Sequence, residues 1–134
     1  MNNNETHIPI QRSEDIVTAR EQARALGRAA GFNGSDLTLI ATAISEVTRN
    51  IVEHAKRGEL VLCLISVGSK RGISIVARDE GPGIPDVARA MQYGYSSRNG
   101  LGVGLPGARW LMDEFDIVSK VGKGTTITMR KWAG

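Results

Sequence analysis

Leu37, Ile40, Ala41, Ile44, Val47, Thr48 and Ile51 recur at the three- and four-residue spacing that lines up side chains on one face of an α-helix. This stripe predicts a helix that opens at Gly34 or Ser35, runs to about Lys56 and ends at Gly58. Upstream, Ser13 followed by Glu14 and Asp15 supplies a capping hydroxyl and then first-turn acids, which predicts a helix from Ser13 to Ala30 stopped by Gly31. Thr6 to Gln11 reads as a short strand. Glu59 to Val67 and Gly72 to Arg78 are β-branched and aliphatic and flank Gly68-Ser69-Lys70-Arg71-Gly72, the signature of a hairpin. Asp79 to Pro85 is turn chemistry, Asp86 to Gln92 a short helix, and Tyr93 to Gly104 a loop rich in Gly, Ser and Asn. Leu105 to Phe115 has helical spacing, with Pro106 in the first turn where a missing N–H does no harm. Asp116 to Val121 and Thr125 to Trp132 form a closing strand pair around Gly122-Lys123-Gly124. The layout is an α+β two-layer sandwich, with helices on one face of a mixed, mostly antiparallel sheet.

Composition narrows the class. The 134 residues suit one domain, and no repeat, linker or low-complexity segment divides residues 1–134. Aromatics are only 4%, so the core must be aliphatic. The net charge of +3 is spread along the chain, with small pairs at Lys70-Arg71 and Arg130-Lys131. Without a basic stripe or interleaved aromatics, a nucleic-acid partner is not expected. Cys63 sits alone in an apolar run and reads as a small buried hydrophobe in a reducing compartment. The first residues, Met1 to Glu5, carry no signal-peptide pattern, and no apolar run approaches the roughly 18 residues that span a bilayer. A cytoplasmic protein with no membrane segment is expected.

Candidate chemistry lies in three places. Glu46 and Asn50 are four residues apart, so about 40° separates them around the helix axis, away from the apolar stripe. A carboxylate beside an amide can hold a hard cation or an activated hydroxyl; it can equally be a pair of solvated helix residues. Asp79-Glu80-Gly81-Pro82-Gly83-Ile84-Pro85 ends an apolar strand. A carboxylate there can accept from an exocyclic amine such as that of adenine, and Gly81 and Gly83 let the backbone turn and approach a ligand, or simply make a turn. Gly100-Leu101-Gly102-Val103-Gly104-Leu105 precedes a helix, and glycine N–H groups at a helix N-terminus suit phosphates. Gly102 to Gly107 also fits a dinucleotide fingerprint, but a polar loop rather than a strand precedes it and too little chain follows. Gly122-Lys123-Gly124-Thr125 lacks the first glycine and the Lys-Ser/Thr pair of a P-loop.

In order along the chain, Glu46/Asn50, Asp79-x-Gly81-x-Gly83, Gly100-x-Gly102-x-Gly104 and Gly124-Thr125 resemble the Bergerat (GHKL) ATP-binding superfamily of gyrase-type ATPases, chaperone-90 ATPases, histidine kinases and MutL proteins. The resemblance spans about Ser13 to Trp132. It implies ATP and Mg²⁺ as cofactors. Asn50 would be the metal ligand and Glu46 the base that takes a proton from the attacking hydroxyl. Asp79, with Gly81 and Gly83, would receive adenine, supported through water by Thr125. Gly100, Leu101, Gly102, Val103 and Gly104 would form the phosphate loop. ISEVTRN, DEGPGIPD and GLGVGLPGARWLMDEF look closest to the switch kinases of the bacterial stressosome, the RsbT type. That resemblance implies a serine/threonine kinase that phosphorylates STAS-domain scaffold proteins and, once released, binds and activates a PP2C-type phosphatase. An anti-sigma-factor kinase of the same fold is the alternative. Arg49 and Arg98 can be γ-phosphate contacts or exposed cations, Tyr93 to Asn99 is a short lid with Ser96 and Ser97 in it, and His54 reads as a pocket-edge or surface residue. Trp110 and Met112 read as core or partner-surface residues.

Overall fold

A computed structural model describes residues 5–92 and 104–133. Five strands form one sheet in the order β1-β2-β3-β5-β4: β1 (Glu5–Ile10), β2 (Gly58–Val67), β3 (Lys70–Asp79), β5 (Gly124–Trp132) and β4 (Glu114–Lys120). Every pairing among the described residues is antiparallel, so the expected mixture reduces to one direction of pairing. The helices are α1 (Ser13–Ala29), α2 (Gly34–Asn50), the four-residue α3 (Val87–Ala90) and α4 (Gly104–Leu111).

Register sets the core. Leu60, Ala77 and Ile127 lie opposite one another across β2, β3 and β5, and Leu62, Ile75 and Met129 form the next row. All six are buried, because strand alternation turns every second residue toward the helices. The expected α2 stripe supplies the other side: Leu37, Ile40, Ala41, Ile44, Val47, Thr48 and Ile51 are all buried. Thr48 is tolerated there because its hydroxyl donates to the Ile44 carbonyl. Asp79 and Thr125 are also register partners, which brings both to one end of the helix-facing side.

Several local expectations change. Ser13 is the first helical residue of α1 rather than its cap; the Asp15 carboxylate reaches back to accept the backbone N–H groups of Gln11 and Arg12. Asn33 caps α2 by accepting the Asp36 N–H. The second helix does not run unbroken to Lys56. It is α-helical to Asn50, then widens into a π-helical turn over Ile51–Ala55, and Lys56 follows at a φ of 74°. The last helix stops at Leu111 instead of Phe115, where Lys131 Nζ donates to the Leu111 carbonyl, and Phe115 joins β4 opposite Met129. Cys63 is only half-buried, because it falls on the sheet face that carries Glu59 and Arg78 rather than on the helix-facing one. Met112 is core, whereas Trp110 is 79% exposed.

On that outer face, His7 lies between two carboxylates, with Nδ1 2.7 Å from Glu59 and Nε2 3.1 Å from Glu5. Hydrogen bonds to Glu59 and then Glu5 raise its pKa above the ordinary 6.5. A folded-state pKa above the unfolded one means that the stabilisation is fully present below 6.5 and is lost as pH rises through the raised value. The same contact, led by the His7 hydrogen bond, holds Glu59 below the usual carboxylate range, so that group's stabilisation fades only in acid. Urea midpoints should therefore decline modestly as pH rises above 6.5 through the raised value, and His7→Gln should flatten the decline. An unchanged slope in the variant would show that this contact does not report on folding.

Candidate functional site

The candidate residues fall in two regions. The first lies between α2 and α4. Glu46, Arg49, Asn50, Glu53, His54, Gly104 and Leu105 line a narrow cleft of about 40 Å³. Glu46 and Asn50 face it together, as their four-residue spacing requires. The Glu46 side chain retains only 10% exposure, and both of its oxygens are engaged: Gly104 N–H donates to Oε1 at 3.1 Å and Arg49 Nη1 to Oε2 at 3.2 Å. A carboxylate is thus bonded to the backbone N–H that opens α4, where a helix presents its positive end. His54 is exposed at the rim of this cleft, as expected.

The second region is the end of β3. Asp79 Oδ1 accepts the Gly81 N–H at 2.9 Å, a tight turn that holds the carboxylate at the strand terminus. The two glycines here meet protein. A Cβ on Gly81 would stand 2.5 Å from the Cβ of Ala55, and Gly83, at a φ of 81°, packs on the Lys120 backbone. Their absence of side chain therefore lets the Asp79 loop close on the π-helical turn and on β4. Because Ala55 follows His54, that turn links the two regions. A larger cavity of about 360 Å³ also reaches Asp79 and Ala55, but it is walled by Gln11, Arg57, Glu59, Arg78 and Glu80 and contains neither Glu46 nor Asn50. The smaller cleft holds Glu46 and Asn50, and the larger one Asp79.

Thr125 is buried beside Asp79, and its hydroxyl lies 2.7 Å from Ser119 Oγ. Ser119 also accepts the Ile84 N–H at 2.8 Å, which ties the Asp79 loop to the closing hairpin. Sequence reasoning missed Ser119. Counting back from the Gly122-Lys123-Gly124 turn would have set it opposite Thr125, where it stands. Ser119→Ala leaves the Ile84 N–H and the Thr125 hydroxyl short of a partner, and the expected loss is about 1–3 kcal/mol of stability in urea titration. A loss below the precision of the titration would mean that water replaces the hydroxyl.

Glu46, Asn50 and Gly104 are thus brought together, while Asp79, Gly81, Gly83 and Thr125 form a second group joined to them through Ala55. Gly100, Leu101, Gly102 and Val103, with Tyr93 to Asn99 and hence Ser96, Ser97 and Arg98, lie outside the described residues. Among the described residues, no three His, Cys, Asp or Glu side chains form a metal cage. Mg²⁺ needs none: it keeps several waters and takes one or two protein ligands together with substrate phosphates. An amide oxygen from Asn50 at the cleft wall fits that pattern. No helix among the described residues is long and apolar enough to cross a membrane.

A five-stranded antiparallel sheet with its helices packed on one face defines the class: a two-layer α+β sandwich. The family model described as the histidine kinase-like ATPase domain matches residues 11–131, and the chain belongs to that family. It is 42% identical over 130 residues to the serine/threonine-protein kinase RsbT of Bacillus subtilis (strain 168), covering 97% of this chain and 98% of that protein. It is 33% identical over 134 residues to the anti-sigma F factor of Geobacillus stearothermophilus, covering 96% and 92%. The crystal structure of the RsbU and RsbW domains of Rv1364c from Mycobacterium tuberculosis shares the fold, with a TM-score of 0.67 at 24% identity. That likeness covers 96% of this chain and 32% of the other.

Proposed function

We propose that this chain is an ATP-dependent protein serine/threonine kinase of the partner-switching kind, working as a single domain. It would phosphorylate STAS-domain scaffold proteins and, once released, bind and activate a PP2C-type phosphatase in the cytoplasm. The observation that carries the kinase reading is Glu46: a nearly enclosed carboxylate, fixed at the start of α4 and sharing its cleft with Asn50. A domain that only binds nucleotide has no need of a base at that position. The relative named as a serine/threonine-protein kinase matches over nearly its whole length, which supports the same reading.

The roles proposed for the residues are those the family likeness implies. Asp79 accepts from the adenine amino group, with Thr125 beside it. The glycine-rich stretch Gly100 to Gly104 would supply N–H groups to the phosphates, as the family likeness implies. Asn50 is the protein's ligand to Mg²⁺, which when bound spreads the negative charge of the triphosphate. Glu46 takes the proton of the incoming Ser or Thr hydroxyl as its oxygen bonds to the γ-phosphorus, and the bond to the β-phosphate oxygen breaks to leave ADP. Relatives named anti-sigma F factor favour a second reading, a kinase that sequesters a sigma factor and phosphorylates an anti-sigma antagonist. Labelled ATP incubated with STAS-domain proteins of the same genome, followed by capture on the immobilised chain, separates the two. Label on a scaffold protein and capture of a PP2C-type phosphatase support the first reading; capture of a sigma factor supports the second.

A further inference from the structure

Arg49 is three residues beyond Glu46 on α2, and its guanidinium donates to Glu46 Oε2 at 3.2 Å. A surface pair at that spacing would ordinarily count for little. This one differs because its halves are unequally buried: the Glu46 side chain is 10% exposed and that of Arg49 37%. A carboxylate with so little water around it depends on protein donors for its orientation. Among the described residues, Gly104 N–H donates to Oε1 and Arg49 to Oε2. Two donors on opposite oxygens fix the rotation of the carboxylate about its last bond, which a single donor leaves free. Glu53 lines the same cleft and lies four residues beyond Arg49, yet the guanidinium pairs with Glu46.

We infer that Arg49 is a positioning residue for the proposed base, holding the Glu46 carboxylate in the orientation that receives the substrate proton. This rests on the reading of Glu46 given above. It differs from assigning Arg49 to the γ-phosphate, because a phosphate contact would tighten ATP binding, whereas a positioning contact alters the transfer step. Lysine can supply a donor from nearly the same place, though without the planar fork. Misplacement of a reacting group by about 1 Å is worth up to about a hundredfold in rate, and with Gly104 still in place the expected loss is smaller.

The test measures single-turnover phosphoryl transfer to a STAS-domain protein and, separately, ATP affinity by calorimetry. The variants are Arg49→Ala, Arg49→Gln, Arg49→Lys, Glu46→Gln and the double variant Glu46→Gln/Arg49→Ala, each checked for folding by circular dichroism. Arg49→Ala and Arg49→Gln should slow transfer about tenfold at saturating ATP, leave ATP affinity within about threefold, and be largely rescued by Arg49→Lys. In the Glu46→Gln background, Arg49→Ala should cost nothing further, as expected of residues that act as a unit. Arg49→Gln keeps a polar side chain of similar reach and so serves if the alanine variant unfolds. A normal transfer rate in Arg49→Ala or Arg49→Gln, with Glu46→Gln inactive, overturns the positioning role alone. Weakened ATP binding with an unchanged maximal rate overturns it in favour of a phosphate contact. Full activity in Glu46→Gln removes the base assignment, and the role of Arg49 falls with it.

Discussion

Glu46→Gln should bind ATP within about threefold of the parent chain and transfer phosphate roughly 10²- to 10⁴-fold more slowly, the range expected for removal of a general base. The substitution isolates proton transfer because glutamine retains a carbonyl oxygen at the position of Oε1. The Gly104 N–H, 3.1 Å from that oxygen, therefore keeps an acceptor, and the junction of α2 and α4 stays closed. What is lost is the negative charge, the second acceptor to Arg49, and with them the capacity to hold a proton. Alanine would be a poorer choice, since it would leave the Gly104 N–H without its carboxylate and open the cleft. The discriminating readout is single-turnover transfer at saturating ATP. A normal rate in Glu46→Gln would remove Glu46 from the chemistry.

Asp79→Asn should weaken ATP and ADP by about ten- to a hundredfold, corresponding to the roughly 1.5–3 kcal/mol of a hydrogen bond to a charged group. Binding of inorganic tripolyphosphate should be unchanged. Asparagine keeps an oxygen to accept the Gly81 N–H, a bond of 2.9 Å in the structure, so the turn after β3 should survive. The other carboxylate oxygen becomes an NH₂ that cannot accept from an exocyclic amine and meets it donor to donor. Asp79→Ala would also release the Gly81 turn and so mix local unfolding with lost recognition. Calorimetric titration with ATP and with tripolyphosphate separates the effects: equal losses for both ligands would argue against an adenine contact at Asp79.

Much of the arrangement was legible in the residues because it rests on short periods. The α2 stripe fixed which side of the helix is buried, and with it the shared direction of Glu46 and Asn50. The runs on either side of Gly68 gave β2 and β3, and the closing pair gave β4 and β5. Other features depend on partners that a one-dimensional reading does not see. The widening of the helix after Asn50 is invisible to a 3.6-residue period, yet it sets Ala55 against Gly81. Gly81 and Gly83 read as a turn or as room for a ligand; that a side chain at either position would collide with protein depends on Ala55 and Lys120, far away in the chain. Cys63 was read as buried from an apolar run, but a sheet covered on one face leaves alternate residues toward water. Arg49 read as a γ-phosphate contact or an exposed cation; its pairing with the nearly buried Glu46 carboxylate depends on packing that the sequence does not show.

In the proposed kinase, Glu46, Asn50, Asp79 and the start of α4 serve a single magnesium-nucleotide site. Calorimetric titration of the folded chain with ATP, in the presence and absence of Mg²⁺, tests this most directly. One site per chain, with affinity raised by the divalent ion and lowered about ten- to a hundredfold in Asp79→Asn, is the predicted result. A folded chain that takes up no adenine nucleotide in the presence of Mg²⁺ would contradict it.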